Sequence, residues 1–496
     1  MRPPRPPTVP LRLLGVLALC LGGAPAGAAP PRPGLALTPC VLEHPLKLSV
    51  TPAQCGVLEV AENPKDPAGR RIALAVARVP AISTRKRPDA LFVLAGGPGQ
   101  SARQFYASVA RAFARIGRDR DIVLLDQRGT GGSNPLTCPE DEDRLYQATG
   151  AEVAALARSC LATVRRHADP AFYTTSLAVG DLERARAALG YASIDLYGVS
   201  YGTRVAQQYL RRYPARVRAL ILDGVVPATL AIGPDVALDA ERAVAAILKR
   251  CTGQPGCAQR YPDVLGDYAR VRAALAAHPV PVSVPDPSSG KLQHFDFDRD
   301  QLGSVLRLSG YSADYAALLP LLLDGAAAGD YGPLAAQFLV LKRSFESIAL
   351  GMHNSVVCAE DVPYWDAAAI DRAALARTFM GAAQVDALTT LCGIWPHGPV
   401  DADLHAPLAS PVPALLLSGG DDPVTPPAYA AQAARGLTGA LSLTLPGLGH
   451  GQLTAPCMDR VLAAFLERGT ATNLEVSCLA ADRPMPFFTS VNGPGP

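Results

Sequence analysis

The residues best placed to do chemistry in this 496-residue chain are a serine, an aspartate and a histidine, met in that order. Ser200 stands in Gly198-Val199-Ser200-Tyr201-Gly202, between the apolar stretch Ile194-Asp195-Leu196-Tyr197 and the helix-like run of residues 203–212. A strand turning sharply into a helix holds its central serine in a strained conformation and presents the hydroxyl. The flanking positions must lack bulk because strand and helix pass close there, and both are glycine. A serine hydroxyl is a weak nucleophile, so it needs a base to take its proton and an acid to fix the base's tautomer. Residues 413–418 read as a buried parallel strand running into Gly419-Gly420-Asp421-Asp422-Pro423. Asp422 is preferred to Asp421, because it follows the strand-ending glycine by three residues and precedes a proline that disfavours helix. A further strand, Leu441-Ser442-Leu443-Thr444-Leu445, leads through Pro446-Gly447-Leu448-Gly449 to His450 in a glycine loop. Of the eight histidines, His44, His167, His278, His294, His353, His397 and His405 lack that setting and read as surface or structural residues. Together the three residues predict covalent acyl transfer. The serine attacks a carbonyl, the histidine donates to the leaving group, and water releases the acyl-enzyme.

A carbonyl oxygen that becomes negative also needs N–H donors aimed at it. The strand of residues 90–95 runs into Gly96-Gly97-Pro98-Gly99-Gln100, where glycines let the main chain approach a substrate. Gly97 is expected to supply one donor and Tyr201, the residue after the nucleophile, the other. The elements that must position these groups are legible as patterns. Residues 35–82 alternate apolar and polar around Pro and Gly turns, an antiparallel lead-in whose clearest strands are residues 55–60 and 71–77. From Pro88 to Val226, buried strands at Leu91, Ile122, Ile194 and Leu220 alternate with helical stretches, which predicts a parallel sheet covered on both faces. Residues 227–405 are dominated by helical periodicity, with 279–287 a proline-rich turn or edge strand, and strand–helix alternation resumes at Pro413. An insertion at that point should sit as a cap above Ser200, closing the site and selecting substrate.

Several segments are specific in combination: Cys55-Gly56-Val57-Leu58-Glu59-Val60, Gly96-Gly97-Pro98-Gly99, Asp126-Gln127-Arg128-Gly129-Thr130-Gly131-Gly132-Ser133, Tyr173-Thr174-Thr175, Asp181-Leu182, the motif around Ser200, Leu222-Asp223-Gly224-Val225 and Asp422-Pro423-Val424-Thr425-Pro426-Pro427. Over most of its length the chain thereby resembles the proline iminopeptidase and tripeptidyl aminopeptidase group of serine α/β-hydrolases. The resemblance implies an α/β-hydrolase fold, a mostly parallel central sheet with helices on both faces and an inserted, mainly helical cap. With the patterning above and the signal-like start, the chain divides into a signal peptide (1–28), a β lead-in (29–82), a first core part (83–226), the cap (227–405) and a second core part (406–496), to which the resemblance adds a TAP-like C-terminal segment. Ser200, Asp422 and His450 carry over as the triad. Ala95 stands where iminopeptidases carry a histidine, which favours the tripeptidyl branch. In related aminopeptidases acids of the cap bind the substrate's amino terminus, and Glu360 and Asp361, beside Cys358, look like that position; the alternative is that they are capping or salt-bridge residues. Glu346 is a weaker candidate, and Asp126 and Arg128 are expected to brace the loop beside the oxyanion donors.

Composition narrows the classes. With 49% hydrophobic residues and a formal net charge of +2, the chain supports a large core and has no electrostatic reason to seek nucleic acid or an anionic membrane. Arg2, Arg5 and Arg12 precede an apolar run at 13–21 and a small-residue stretch, which reads as a secretory signal cleaved after Ala28, too short to span a bilayer. Cys20 follows the large Leu19, which disfavours lipidation. Removing the signal reduces 11 cysteines to an even number in an oxidising compartment, so disulfides are the default. A neighbour pairing is expected, Cys40 with Cys55, Cys138 with Cys160, Cys251 with Cys257, Cys358 with Cys392 and Cys457 with Cys478, although spacing alone leaves connectivity open. No Cys-x-x-Cys or His-Glu-x-x-His occurs, so neither metal nor other cofactor is expected. The sequence thus points to a secreted or periplasmic serine aminopeptidase taking a peptide substrate and releasing short peptides, tripeptides among them, or single residues. The alternative is a carboxylesterase or lipase using the same triad. A non-catalytic binding module would require a broken triad, and dehalogenase or epoxide hydrolase sites place aspartate at the elbow.

Overall fold

The computed structural model describes residues 34–138, 148, 150–343, 348–481 and 484–494, together with Met1 and Pro4. The signal segment expected at 1–28, those two residues apart, and Glu346 lie outside the described residues. A nine-stranded sheet is built from β1 (Thr38–Glu43), β2 (Val50–Ala61), β3 (Arg71–Val79), β4 (Ala90–Leu94), β5 (Ile122–Leu125), β6 (Ile194–Val199) and β7 (Val217–Asp223). The hairpin β8 (Val280–Pro285) and β9 (Leu292–Phe297) stands apart, and β10 (Ala414–Gly419) and β11 (Ala440–Leu445) complete the sheet, in the order β1-β2-β3-β5-β4-β6-β7-β10-β11. The strands β1, β2 and β3 pair antiparallel, and β3 meets β5 antiparallel. From β5 across to β11 every pairing is parallel.

Period-2 geometry explains why the central strands are apolar throughout. In β4, Phe92 and Leu94 enter the core on one face of the sheet while Leu91 and Val93 enter the core on the other. In β10, Leu416 divides from Leu415 and Leu417 in the same way. Helices cover both faces, so no strand residue there has a wet side to reserve for a polar group.

The inserted region does not form one body. The helices Val236–Thr252, Val264–Ala277, Arg299–Ser309, Leu319–Ala327 and Gly332–Lys342 share a core of their own, with Val244, Ile247, Leu302, Leu306, Leu323 and Phe338 buried in it. The helix Leu350–Glu360 joins the sheet's core instead, through Met352, Val356 and Cys358, and Leu391, Cys392 and Trp395 follow it there. The stretch 279–287 forms β8, whose partner β9 the helical reading of this region did not anticipate. Near the other end, Phe487 enters the cap core, Tyr261 Oη donates to Phe488 O at 2.8 Å, and Phe488 N donates to Ala317 O at 3.1 Å. All five neighbour disulfides form. Among the described residues no helix is long and apolar enough to cross a membrane.

Candidate active site

At the end of β6 the chain turns through Ser200, with φ 55° and ψ −126°, into the helix Tyr201–Arg212. Non-glycine residues avoid positive φ, and such strain persists where the surroundings enforce it. Here they do: a Cβ on Gly198 would sit 2.4 Å from Gly202 O, and one on Gly202 would sit 2.4 Å from Leu94 O. Ser200 N donates to Asp223 O at 2.8 Å, tying the turn to the end of β7.

β10 delivers two adjacent acids with different fates. Asp421 pairs with Arg250 at 3.2 Å, whereas Asp422 Oδ2 lies 2.8 Å from His450 Nδ1. Asp422 also accepts from Val424 N, Thr425 N and Thr425 Oγ1 at 2.8, 2.9 and 2.8 Å. Burial alone would raise the Asp422 pKa, but the His450 charge and these hydrogen bonds hold it below the ordinary carboxylate value. Burial likewise works against a charged His450, yet the Asp422 charge and hydrogen bond, with the nearby Asp223, raise its pKa above the usual 6.5. Asp422 thus favours the imidazolium that a proton-accepting base must become.

Two flanking residues position the histidine loop. Asp223 accepts from Gln452 N through both oxygens, at 3.0 and 2.9 Å, and from Tyr197 Oη at 2.8 Å. Burial, partly offset by those donors, pushes its pKa up to about 6. From the cap side, Tyr311 O accepts the His450 N–H at 3.1 Å, and the two rings meet edge-on at 5.0 Å. Ser200 and His450 line one cavity without a hydrogen bond between their side chains, a contact that often tightens only when substrate is bound.

On the other side of Ser200, Gly97 has φ 106° ahead of a cis bond to Pro98. A Cβ on Gly96 would come within 3.0 Å of Ser200 Cβ, so this loop passes directly over the nucleophile. The N–H groups of Gly97 and Tyr201 take no protein acceptor among the described residues. The loop is braced from beneath. Asp126 accepts from Ser101 Oγ, Arg103 Nε and Gly132 N at 2.7, 2.9 and 2.9 Å, and Arg128 forks onto Asp181 at 2.6 and 2.9 Å.

The cavity measures about 700 Å³, within the range of ligand sites, and is lined jointly by the elbow, the Gly97 loop, the His450 loop and residues of the inserted region including Tyr311, Asp235 and Asp314.

Glu360 and Asp361, expected to receive a substrate ammonium, are fully buried and do not line the cavity. Asp361 accepts from Arg204 Nη2 at 2.8 Å, Arg204 Nη1 at 3.2 Å and Ile232 N at 2.7 Å. Glu360 accepts from Thr175 N and Thr175 Oγ1, both at 2.6 Å. Burial, countered in part by Arg204 and Thr175, raises the Glu360 pKa to about 7. The physical reason is their helix: Leu350–Glu360 belongs to the sheet's core, so its end points under the elbow. There Thr175 Oγ1 also bonds the Tyr201 hydroxyl at 2.6 Å. The salt-bridge alternative is the arrangement observed.

His353, read from sequence as surface or structural, lines the cavity. Burial lowers its pKa. It lies in a helix buried nearly all round, so no amphipathic pattern marked it. Thr425 and Asp223 were also missed as contributors, although both fall inside segments that carried the family resemblance.

Residues 89–250 match a family model described as alpha/beta hydrolase fold, and residues 377–478 match one described as TAP-like protein. A tripeptidyl aminopeptidase of Streptomyces lividans is 33% identical over 41% of this chain and 41% of that protein, so the match spans about two fifths of its length. Serine protease Hip1 of Mycobacterium tuberculosis is 29% identical over 95% of this chain and 96% of its own. A protein of that organism named carboxylesterase B is 28% identical over 93% and 96%. The chain thus has an α/β-hydrolase domain and a TAP-like C-terminal segment, and it is similar to proteins named tripeptidyl aminopeptidase and serine protease Hip1.

Proposed function

We propose that the protein is an exported serine aminopeptidase that releases short peptides, tripeptides among them, or single residues from free N-termini. One observation carries the reading: Ser200, His450 and the open N–H groups of Gly97 and Tyr201 converge on a single cavity roofed by the cap. Ser200 Oγ attacks the substrate carbonyl while His450 Nε2 takes its proton. Asp422, bonded to Nδ1, holds the imidazole in the required tautomer and stabilises its charge. The two N–H groups receive the developing oxyanion, His450 protonates the departing amine, and a water activated by the same histidine releases the acyl group.

With Glu360 and Asp361 committed to Arg204, the carboxylates available to a substrate ammonium are Asp235 and Asp314. Both are exposed at the cavity and make no side-chain hydrogen bond or ion pair among the described residues. The relatives named tripeptidyl aminopeptidase and serine protease support peptide bonds as substrate, and five disulfides fit an extracellular setting. The relative named carboxylesterase B favours a second reading, ester hydrolysis by the same residues. The test is hydrolysis of Ala-Ala-Ala-p-nitroanilide, its N-acetyl counterpart, Pro-p-nitroanilide and p-nitrophenyl butyrate, with Ser200→Ala as the blank. Cleavage of the free tripeptide but not the capped one supports an exopeptidase; turnover of the ester alone replaces it with the esterase.

A further inference from the structure

Four arginines bury an Nε that makes no hydrogen bond: Arg204, Arg218, Arg250 and Arg307. Three of them sit beside a carboxylate, Arg204 with Asp361 at 2.8 Å, Arg218 with Asp89 at 3.0 Å and Arg250 with Asp421 at 3.2 Å. Arg307 makes no ion pair and no side-chain hydrogen bond among the described residues. It is also the one of the four that lines the cavity. Arg307 is half-buried with its Nε enclosed, and proteins ordinarily give a guanidinium withdrawn in this way from water a counter-charge.

Its position ties it to the chemistry. Arg307 lies near the end of the helix Arg299–Ser309, one turn before Tyr311, whose carbonyl holds the His450 N–H. Its charge is near enough to disfavour protonation of both imidazoles in the cavity, His450 and His353. The cavity's third acid, Asp223, is already occupied by Gln452 and Tyr197, while Asp235 and Asp314 are exposed.

We propose that Arg307 is a carboxylate-binding subsite of this cavity, taking either the terminal carboxylate of a short peptide or the side chain of an Asp or Glu residue in the substrate. The guanidinium's fork matches a carboxylate with two parallel N–H···O bonds, and binding supplies the counter-charge that the fold leaves out. With Asp235 and Asp314 receiving an ammonium, the cavity then recognises both charges of a free oligopeptide. The subsite deepens the aminopeptidase reading and rests on it for the substrate class.

Two matched pairs test it. Ala-Ala-Ala-Ala as the free acid against its C-terminal amide reads the terminal carboxylate; Ala-Ala-Glu-p-nitroanilide against Ala-Ala-Gln-p-nitroanilide reads the side chain. The acid member of at least one pair should be favoured by about tenfold or more in kcat/KM, chiefly through KM. Arg307→Gln should bring that ratio close to one, and Arg307→Lys should keep part of it. Calorimetry of Ser200→Ala with the same four compounds reads the preference as binding, so failure of the peptidase reading leaves this test standing. A tenfold tighter Kd for an acid member, lost when Arg307→Gln is added, supports the subsite. Equal handling of acid and neutral members in both pairs, or a preference that survives Arg307→Gln, overturns it.

Discussion

The sheet and the inserted region hold their polar groups by different means. Around the elbow at the end of β6, backbone contact does the positioning: Gly198 against Gly202, Gly202 against Leu94, Gly96 against Ser200. Where the inserted region meets the sheet's core, side chains pair with side chains across long sequence separations, as Arg204 with Asp361 and Thr175 with Glu360. The first kind of constraint admits glycine alone and so leaves its mark at one position. The second leaves an acid and a base far apart in the chain, with nothing to mark them as partners. Substitutions at the elbow should therefore stop the reaction, whereas those beneath it should cost stability and move all substrates together.

The largest effect is expected at Ser200→Ala, a fall in turnover of about 10⁴-fold or more with an unchanged circular dichroism spectrum. Next is the contrast between neighbours. Asp422→Asn should cost about 10³-fold or more in kcat, because it takes the tautomer-fixing acceptor from His450, while Asp421→Asn, which only unpairs Arg250, should cost less than about tenfold. Asp361→Asn leaves the Arg204 charge buried without full compensation and should lower unfolding free energy by about 3 kcal/mol in denaturant titrations. Hydrolysis of free and N-acetylated peptides should fall by the same factor; a loss confined to free amines would return Asp361 to substrate binding. The smallest effect is in pH. His450 has its pKa raised, so it stays protonated to higher pH than a free histidine and is a base only once neutral. The acid limb of kcat/KM should therefore have a midpoint above 6.5, and Asp422→Asn should move what activity remains toward lower pH.

The strands β4, β6, β7 and β10 are legible in sequence because burial on both faces writes continuous apolar runs; Ser200 and Asp422 each follow such a run, and His450 follows the alternating edge strand β11, all into glycine-bearing turns. Gly97 and Tyr201 follow from the same logic. What was not legible concerns which core an insertion serves. The helix Leu350–Glu360 is apolar nearly all round, a pattern equally at home under the sheet or inside the cap, so its last acids could be read as facing substrate when they brace the elbow from below. His353 and Arg307 carry no local signal; only the tertiary arrangement brings them to the cavity. β9 was missed because its alternation is short and set among helices.

The most direct test of the central claim, acyl transfer on Ser200 with His450 as base, is mass spectrometry of the protein after brief exposure to a fluorophosphonate. The account predicts a single adduct on the peptide containing Ser200, formed much more slowly in His450→Ala and absent in Ser200→Ala. Labelling at another residue, or labelling of Ser200 at an undiminished rate without His450, would contradict it.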